Sequence, residues 1–204
     1  YKGSGFTALT ADVSINSLQS TSNSTTAFNI GTGRTLTVKS GAVMLNGGSY
    51  GTFTGGIGKV GDAAAGTLAF GSAEGIIFNG INTGAGGISG QTIGSAITGS
   101  GGLTKAGTGI LILAGANTIT GKTHVGNGVL KVGDGTVNSS IGNGDVTIDA
   151  GAVLDLAAAG ATHDSAIDYI SNSAKLTLST TGLLNANLSI SVDGIETVGS
   201  LILG

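Results

Sequence analysis

Asp145, Asp149 and Asp155 are the residues of this chain with the best claim to chemistry. Carboxylates gathered on a β-sheet surface are the apparatus with which some enzymes cleave glycosidic bonds or hold calcium against a polysaccharide. The three fall on neighbouring predicted strands, so they are the group to examine for such a cluster. Their setting argues against it, since the chain has one arginine, Arg34, no tryptophan and no Gly-Gly-x-Gly-x-Asp array for calcium. The remaining acidic residues, Asp12, Asp62, Glu74, Asp134, Asp164, Asp168, Asp193 and Glu196, are scattered, and solvated surface carboxylates are the simpler reading for all of them.

Other matches fail on context. Ala116 to Thr123 has a small residue, four others and then Gly-Lys-Thr, as in a phosphate loop. A phosphate loop needs a helix after it to aim backbone N–H groups at the phosphates, and the residues that follow, His124 to Val132, form a Gly-broken strand pattern instead. Gly56-Ile-Gly-Lys-Val-Gly61 matches a dinucleotide fingerprint in letters alone, with no βαβ unit around it. His163, Asp164 and Ser165 are the side chains of a hydrolase triad, yet consecutive residues are poorly placed for a relay whose members converge from separate segments. The pairs Thr35/Thr37 and Thr118/Thr120 each point to one side of a strand and suggest a water-ordering ladder, but they do not recur at a fixed interval, and β-propensity explains them. No catalytic, cofactor-binding or metal-ligating residue is assigned, no cofactor is implied, and a non-enzymatic protein is expected.

What must position any such residue is an unusual chain. Its 204 residues include 40 Gly, no Pro and no Cys, and only 9% are charged. Val, Ile and Leu recur throughout and mean hydropathy is positive, so enough apolar surface exists to offset chain entropy and an ordered chain is expected. The net charge of -3 is spread thinly, which leaves no basic footprint for nucleic acid or an anionic membrane. Lack of cysteine excludes disulfides and thiolate sites and is compatible with an oxidising compartment. The start at Tyr1 lacks an initiator Met and a signal-peptide core, which predicts a fragment of a longer protein.

The organising pattern is the short strand with a glycine corner. Between Gly101 and Gly133, Leu103, Ile110 to Leu113 and Val129 to Val132 form strand cores, and Gly107, Gly109, Gly115, Gly121, Gly126 and Gly128 supply turns that a Cβ would obstruct. An internal repeat matches Leu36, Val38, Gly41, Ala42 and Val43 with Val146, Ile148, Gly151, Ala152 and Val153. Alternating strand, Gly corner and second strand is how a coil turns while keeping apolar side chains inward. Further strands are predicted at 66–71, 175–179 and 188–192. Helix signals are poor; one excursion is conceivable over Leu154 to Ile170, interrupted by Gly160. The stretch from Asn82 to Ser100 is diluted by glycine, yet Ile88, Ile93 and Ile97 mark it as an interrupted coil, not a linker.

These features predict an all-β solenoid, a parallel β-helix forming one continuous domain over residues 1–204. Coils of roughly 20 to 25 residues give about nine rungs and a rod roughly 40 Å long. Phe6, Phe28, Phe53, Phe70 and Phe78 are expected to fill the wider parts of the core. Asn46, Asn79, Asn117, Asn127 and Asn143 lie near corners, where left-handed backbone or stacked amides would suit them.

Residues 101–133 resemble the autotransporter-associated β-strand repeat of bacterial secreted and surface proteins. The shared elements are Gly-Gly-Leu-x-Lys-x-Gly-x-Gly-x-Leu-x-Leu at 101–113, Gly-x-Asn at 115–117, and Gly-x-Leu-x-Val-Gly at 128–133. Leu111 and Leu113 hold the repeat's Leu positions, and Ile119 stands where the family commonly has Tyr. Ser17-Leu18, Leu36 to Leu45 and Ser200 to Leu203 resemble the irregular flanking coils of such proteins. The resemblance implies a right-handed coil, export to the bacterial cell surface or medium, and a role as stalk, adhesin or matrix component. It transfers no catalytic residue. Self-association and surface glycans are the partners it suggests, with outer-membrane attachment through other segments. A self-assembling filament built by end-to-end stacking is the second reading and a polysaccharide-degrading β-helix the third.

Overall fold

The computed structural model describes residues 8–20, 28–46, 56–58, 65–80, 90–133, 139–156, 169–181, 184–185, 187–190 and 197–204. Their short strands are stacked in three parallel sheets, here called A, B and C, which form the sides of a parallel β-helix. Sheet A holds β1 (Val13–Ile15), β3 (Thr35–Val38), β6 (Thr67–Ala69), β9 (Ala96–Gly99) and β12 (Thr118–Ile119). Sheet B holds β2 (Leu18–Ser20), β4 (Ala42–Leu45), β7 (Gly75–Asn79), β10 (Leu103–Ala106), β13 (Thr123–Val125), β15 (Val146–Ile148), β17 (Lys175–Leu178) and β21 (Ser200–Leu203). Sheet C holds β5 (Gly56–Ile57), β8 (Gly90–Ile93), β11 (Ile110–Leu113), β14 (Val129–Val132), β16 (Val153–Leu156) and β20 (Asn187–Ile190). A small antiparallel pair, β18 (Thr180–Thr181) with β19 (Leu184–Asn185), departs from the coil.

The register produces interior columns, because a strand's period of two sends alternate side chains to one face. On sheet C, Ile57, Ile93, Leu113, Val132 and Leu156 stack in one column, and Leu111, Leu130 and Leu154 in its neighbour. Leu36, Leu68 and Ile97 form a column on sheet A. All of these side chains are buried in one cluster, and each contributes about 1.5–3 kcal/mol by leaving water.

Coil length varies more than the sequence suggested. Leu103 sits against Thr123, 20 residues on, whereas Ala42 sits against Ile76, 34 residues on. Among the described residues sheet B shows eight rungs, spanning roughly 34 Å at the usual strand spacing, where a uniform coil over the whole chain gives about nine and 40 Å. Where sheet A strands end after β12, the backbone still bonds coil to coil: Asn143 N–H donates to the Ile119 carbonyl at 2.9 Å and Ile141 N–H to that of Tyr169 at 3.0 Å.

The internal repeat proves to occupy two different corners. Gly41 (φ +73°) turns β3 into β4, from sheet A to B, while Gly151 (φ +82°) turns β15 into β16, from B to C. The motif specifies a corner and leaves open which one, because both demand the same left-handed glycine after an alternating strand.

Two expectations need correction. Phe78 is 41% exposed, because Ile77 holds the inward position on β7 and alternation turns Phe78 out. No asparagine among the described residues has positive φ; glycines take every such position. Phe28 and Phe70 are in the core as expected. Residues 154–156 of the conceivable helix are strand, and 157–168 lie outside the described residues, as do Phe6 and Phe53. Gly90–Ile93 and Ala96–Gly99 are strands with Ile93 and Ile97 buried, so the glycine-diluted stretch is coil there; Ile88 lies outside the described residues. No helix among the described residues is long and apolar enough to cross a membrane, which does not bear on β-barrels.

Candidate functional site

Among the described residues, the coil formed by residues 103–132 carries a buried lysine and a buried asparagine, each with three hydrogen-bond partners. Lys105 points inward from β10 in a column whose neighbouring members, Val43, Ile77, Val125 and Ile148, are all apolar. Its side chain is buried and its ammonium donates to three main-chain carbonyls, those of Ala106 (3.0 Å), Gly107 (2.6 Å) and Asn127 (3.0 Å). The first two belong to its own corner and the third to the corner of the next coil. A buried cation is tolerable only when its protons are satisfied, and this arrangement uses all three. Burial lowers the amine from 10.5 to about 8. The sequence contained the signal, since Lys105 shares the inward parity of Leu103.

A second buried polar group lines the corner between sheets C and A. Ser95 Oγ donates to the Ala65 carbonyl (2.6 Å), and Ser139 Oγ to that of Gly115 (2.7 Å). Between them Asn117 accepts from the Ile97 N–H (2.9 Å) and donates to Ser139 Oγ (3.1 Å) and the Ser140 carbonyl (2.8 Å). Asn117 thus joins three coils by hydrogen bonding with ordinary backbone, not by stacking amides. Replacing it with alanine leaves buried groups unpaired and is expected to lower stability by about 2 kcal/mol, read from the shift in urea midpoint.

The outward face of sheet B is polar in its middle and apolar toward its N-terminal rungs. His124 Nε2 lies 2.9 Å from Asp149 Oδ2, with both side chains more than 40% exposed, and Thr104 donates to Glu74. Above them Met44, Ile76 and Phe78, all exposed, edge a groove of about 340 Å³ that Ser17, Gln19 and Ala42 also line.

Asp145, Asp149 and Asp155 are not brought together. Asp145 and Asp149 flank β15, about 13 Å apart at the rise of a strand, and Asp155 lies on β16 in another sheet. Asp145 Oδ1 accepts from the Lys175 N–H at 2.9 Å, and Asp155 is in register with Lys131. No group of three or more His, Cys, Asp or Glu placed to hold a metal ion occurs among the described residues. The phosphate-loop match spans β12 and the start of β13, and a Cβ at Gly121 would run into the Gly102 backbone of the preceding coil, so this glycine serves coil packing. Gly56–Ile57 is β5, with Gly58 described after it; the rest of that fingerprint and residues 163–165 lie outside the described residues. The threonines form a pattern that sequence spacing concealed: Thr35 stacks on Thr67, and Thr98 on Thr118, along the outward face of sheet A.

Comparison with known proteins places the specialised coil. The profile described as Passenger-associated-transport-repeat matches residues 103–132. The Adhesin BmaC autotransporter of Brucella suis biovar 1 (strain 1330) is 33% identical over 140 residues, which is 65% of this chain and 4% of that protein. The chain therefore spans a small part of the length of the curated relative it matches. No solved structure matches. Lys105, its carbonyl acceptors and the central asparagine Asn117 all lie inside the matched segment. Residues 103–132 are a passenger-associated transport repeat, set in an autotransporter passenger-like chain distantly related to an adhesin.

Proposed function

We propose that this chain is part of a non-enzymatic extracellular scaffold, a stretch of stalk or adhesin displayed on a bacterial surface and anchored through other segments. The observation that carries the reading is the passenger repeat seated in register between coils on both sides, in a stack whose sheet B runs through eight strands. Such a stack resists bending and repeats its outer faces, which suits a protein whose work is reach and contact. Surface glycans and other copies of the chain are the partners proposed for those faces.

The test is electron microscopy of native material, with intact mass on the same sample. Rods attached to the envelope, of mass far above 19.5 kDa, are the expected result. Detached uniform fibres repeating at a multiple of about 4.8 Å would replace it with the second reading, a filament built end to end.

The enzymatic alternative has its own check. A variant carrying Asp145→Asn, Asp149→Asn and Asp155→Asn together is expected to leave any action on polysaccharide unchanged, measured as release of reducing ends. A loss of such release in the triple variant would reinstate the three carboxylates as a site.

A further inference from the structure

We propose that Asn127–Gly128, in the corner between β13 and β14, is a self-modifying site at which the asparagine carboxamide cyclises onto the following peptide nitrogen. Asn127 is exposed, and its Oδ1 accepts from the Gly128 N–H at 2.7 Å. That bond brings the nitrogen within about 3–4 Å of the carboxamide carbon it must attack, close to the range of reacting atoms in a near-attack arrangement. Gly128 has no side chain to shield the approach and sits at φ +67° in the corner.

The step balances without an oxidant or reductant. Gly128 N bonds to Asn127 Cγ, its proton passes by way of solvent to the carboxamide nitrogen, and that nitrogen departs as ammonia, leaving a five-membered imide. Water then opens the ring at either carbonyl, giving aspartate or a β-linked isoaspartate. Both products carry a new negative charge, and the β-linked one adds a methylene to the main chain. The change falls on the residue whose carbonyl accepts from the Lys105 ammonium at 3.0 Å. It therefore alters the contact that ties this corner to the preceding coil.

The other Asn–Gly pairs among the described residues supply internal controls. Asn79, before Gly80, is fully buried. Asn143, before Gly144, is exposed but makes no side-chain bond to the Gly144 nitrogen among the described residues. The experiment is to hold the folded protein in mildly alkaline buffer, cleave after Lys122 and Lys131, and quantify aspartyl and isoaspartyl forms of the 123–131 peptide by mass spectrometry. The same sequence as a free peptide runs alongside. Conversion at Asn127 is expected at least as fast as in the free peptide and roughly tenfold faster than at Asn143 in the same folded sample, the scale of effect that held reacting atoms give. Conversion slower than in the free peptide, or no faster than at Asn143, would show that the fold protects this corner and would overturn the proposal.

Discussion

Gly41→Ala is expected to cost at least about 4 kcal/mol, a large share of the stability of an ordinary domain. Two effects combine at this corner. The backbone sits at φ +73°, a conformation that costs an L-residue about 1–2 kcal/mol. In addition, a Cβ would overlap the carbonyl of Glu74 in the next coil, and main chain cannot swing aside as a side-chain tip can. Gly33→Ala isolates the first effect, since φ is +65° there and nothing lies within 4 Å of the added carbon. Its expected cost is about 1–2 kcal/mol. Denaturant unfolding followed by circular dichroism separates the two, and equal midpoints would refute the claim that coil-to-coil contact dictates Gly41.

Lys105→Ala is the other large effect, a loss of about 3 kcal/mol from the cavity it leaves and the three carbonyls it abandons. Lys105→Met fills most of the space and should recover over half of that loss. The pH dependence has a definite sign. The folded amine titrates at about 8, below its ordinary 10.5, so between those values the unfolded chain holds a proton that the folded chain has released. Stability therefore rises with pH through this window, and the desolvation penalty is fully present below it. The gain is of order 2 kcal/mol after allowance for solvent screening, and Lys105→Met should lack it. Urea denaturation near about pH 7 and about pH 10 checks both statements, and a stability that falls across the window in the parent alone would reverse the assignment.

Lys105 also shows what sequence reasoning can and cannot reach. Strand cores at Leu103, 110–113 and 129–132 were legible because apolar alternation and glycine punctuation agree there. The one local signal of Lys105 is its shared parity with Leu103, and that parity becomes meaningful only when neighbouring coils supply carbonyl oxygens. Phe78 failed for a related reason: size suggested the core, whereas the adjacent Ile77 already held the inward position. Register was the largest gap. The threonine columns on sheet A join residues 32 and 20 positions apart, separations that no single period reveals. Asn117 was found at its corner, but its three partners come from coils before and after it, so its role as a hydrogen-bonding joint was invisible locally.

The unequal coils have a consequence for how this protein can change. A step of 20 residues and a step of 34 each advance the chain by one rung, so axial distance is metered in turns and is indifferent to the number of residues per turn. Extra residues at a corner therefore need not add height. Everything farther along the rod keeps its height, and a lateral surface can be enlarged or redesigned at one level without shifting the levels above or below it.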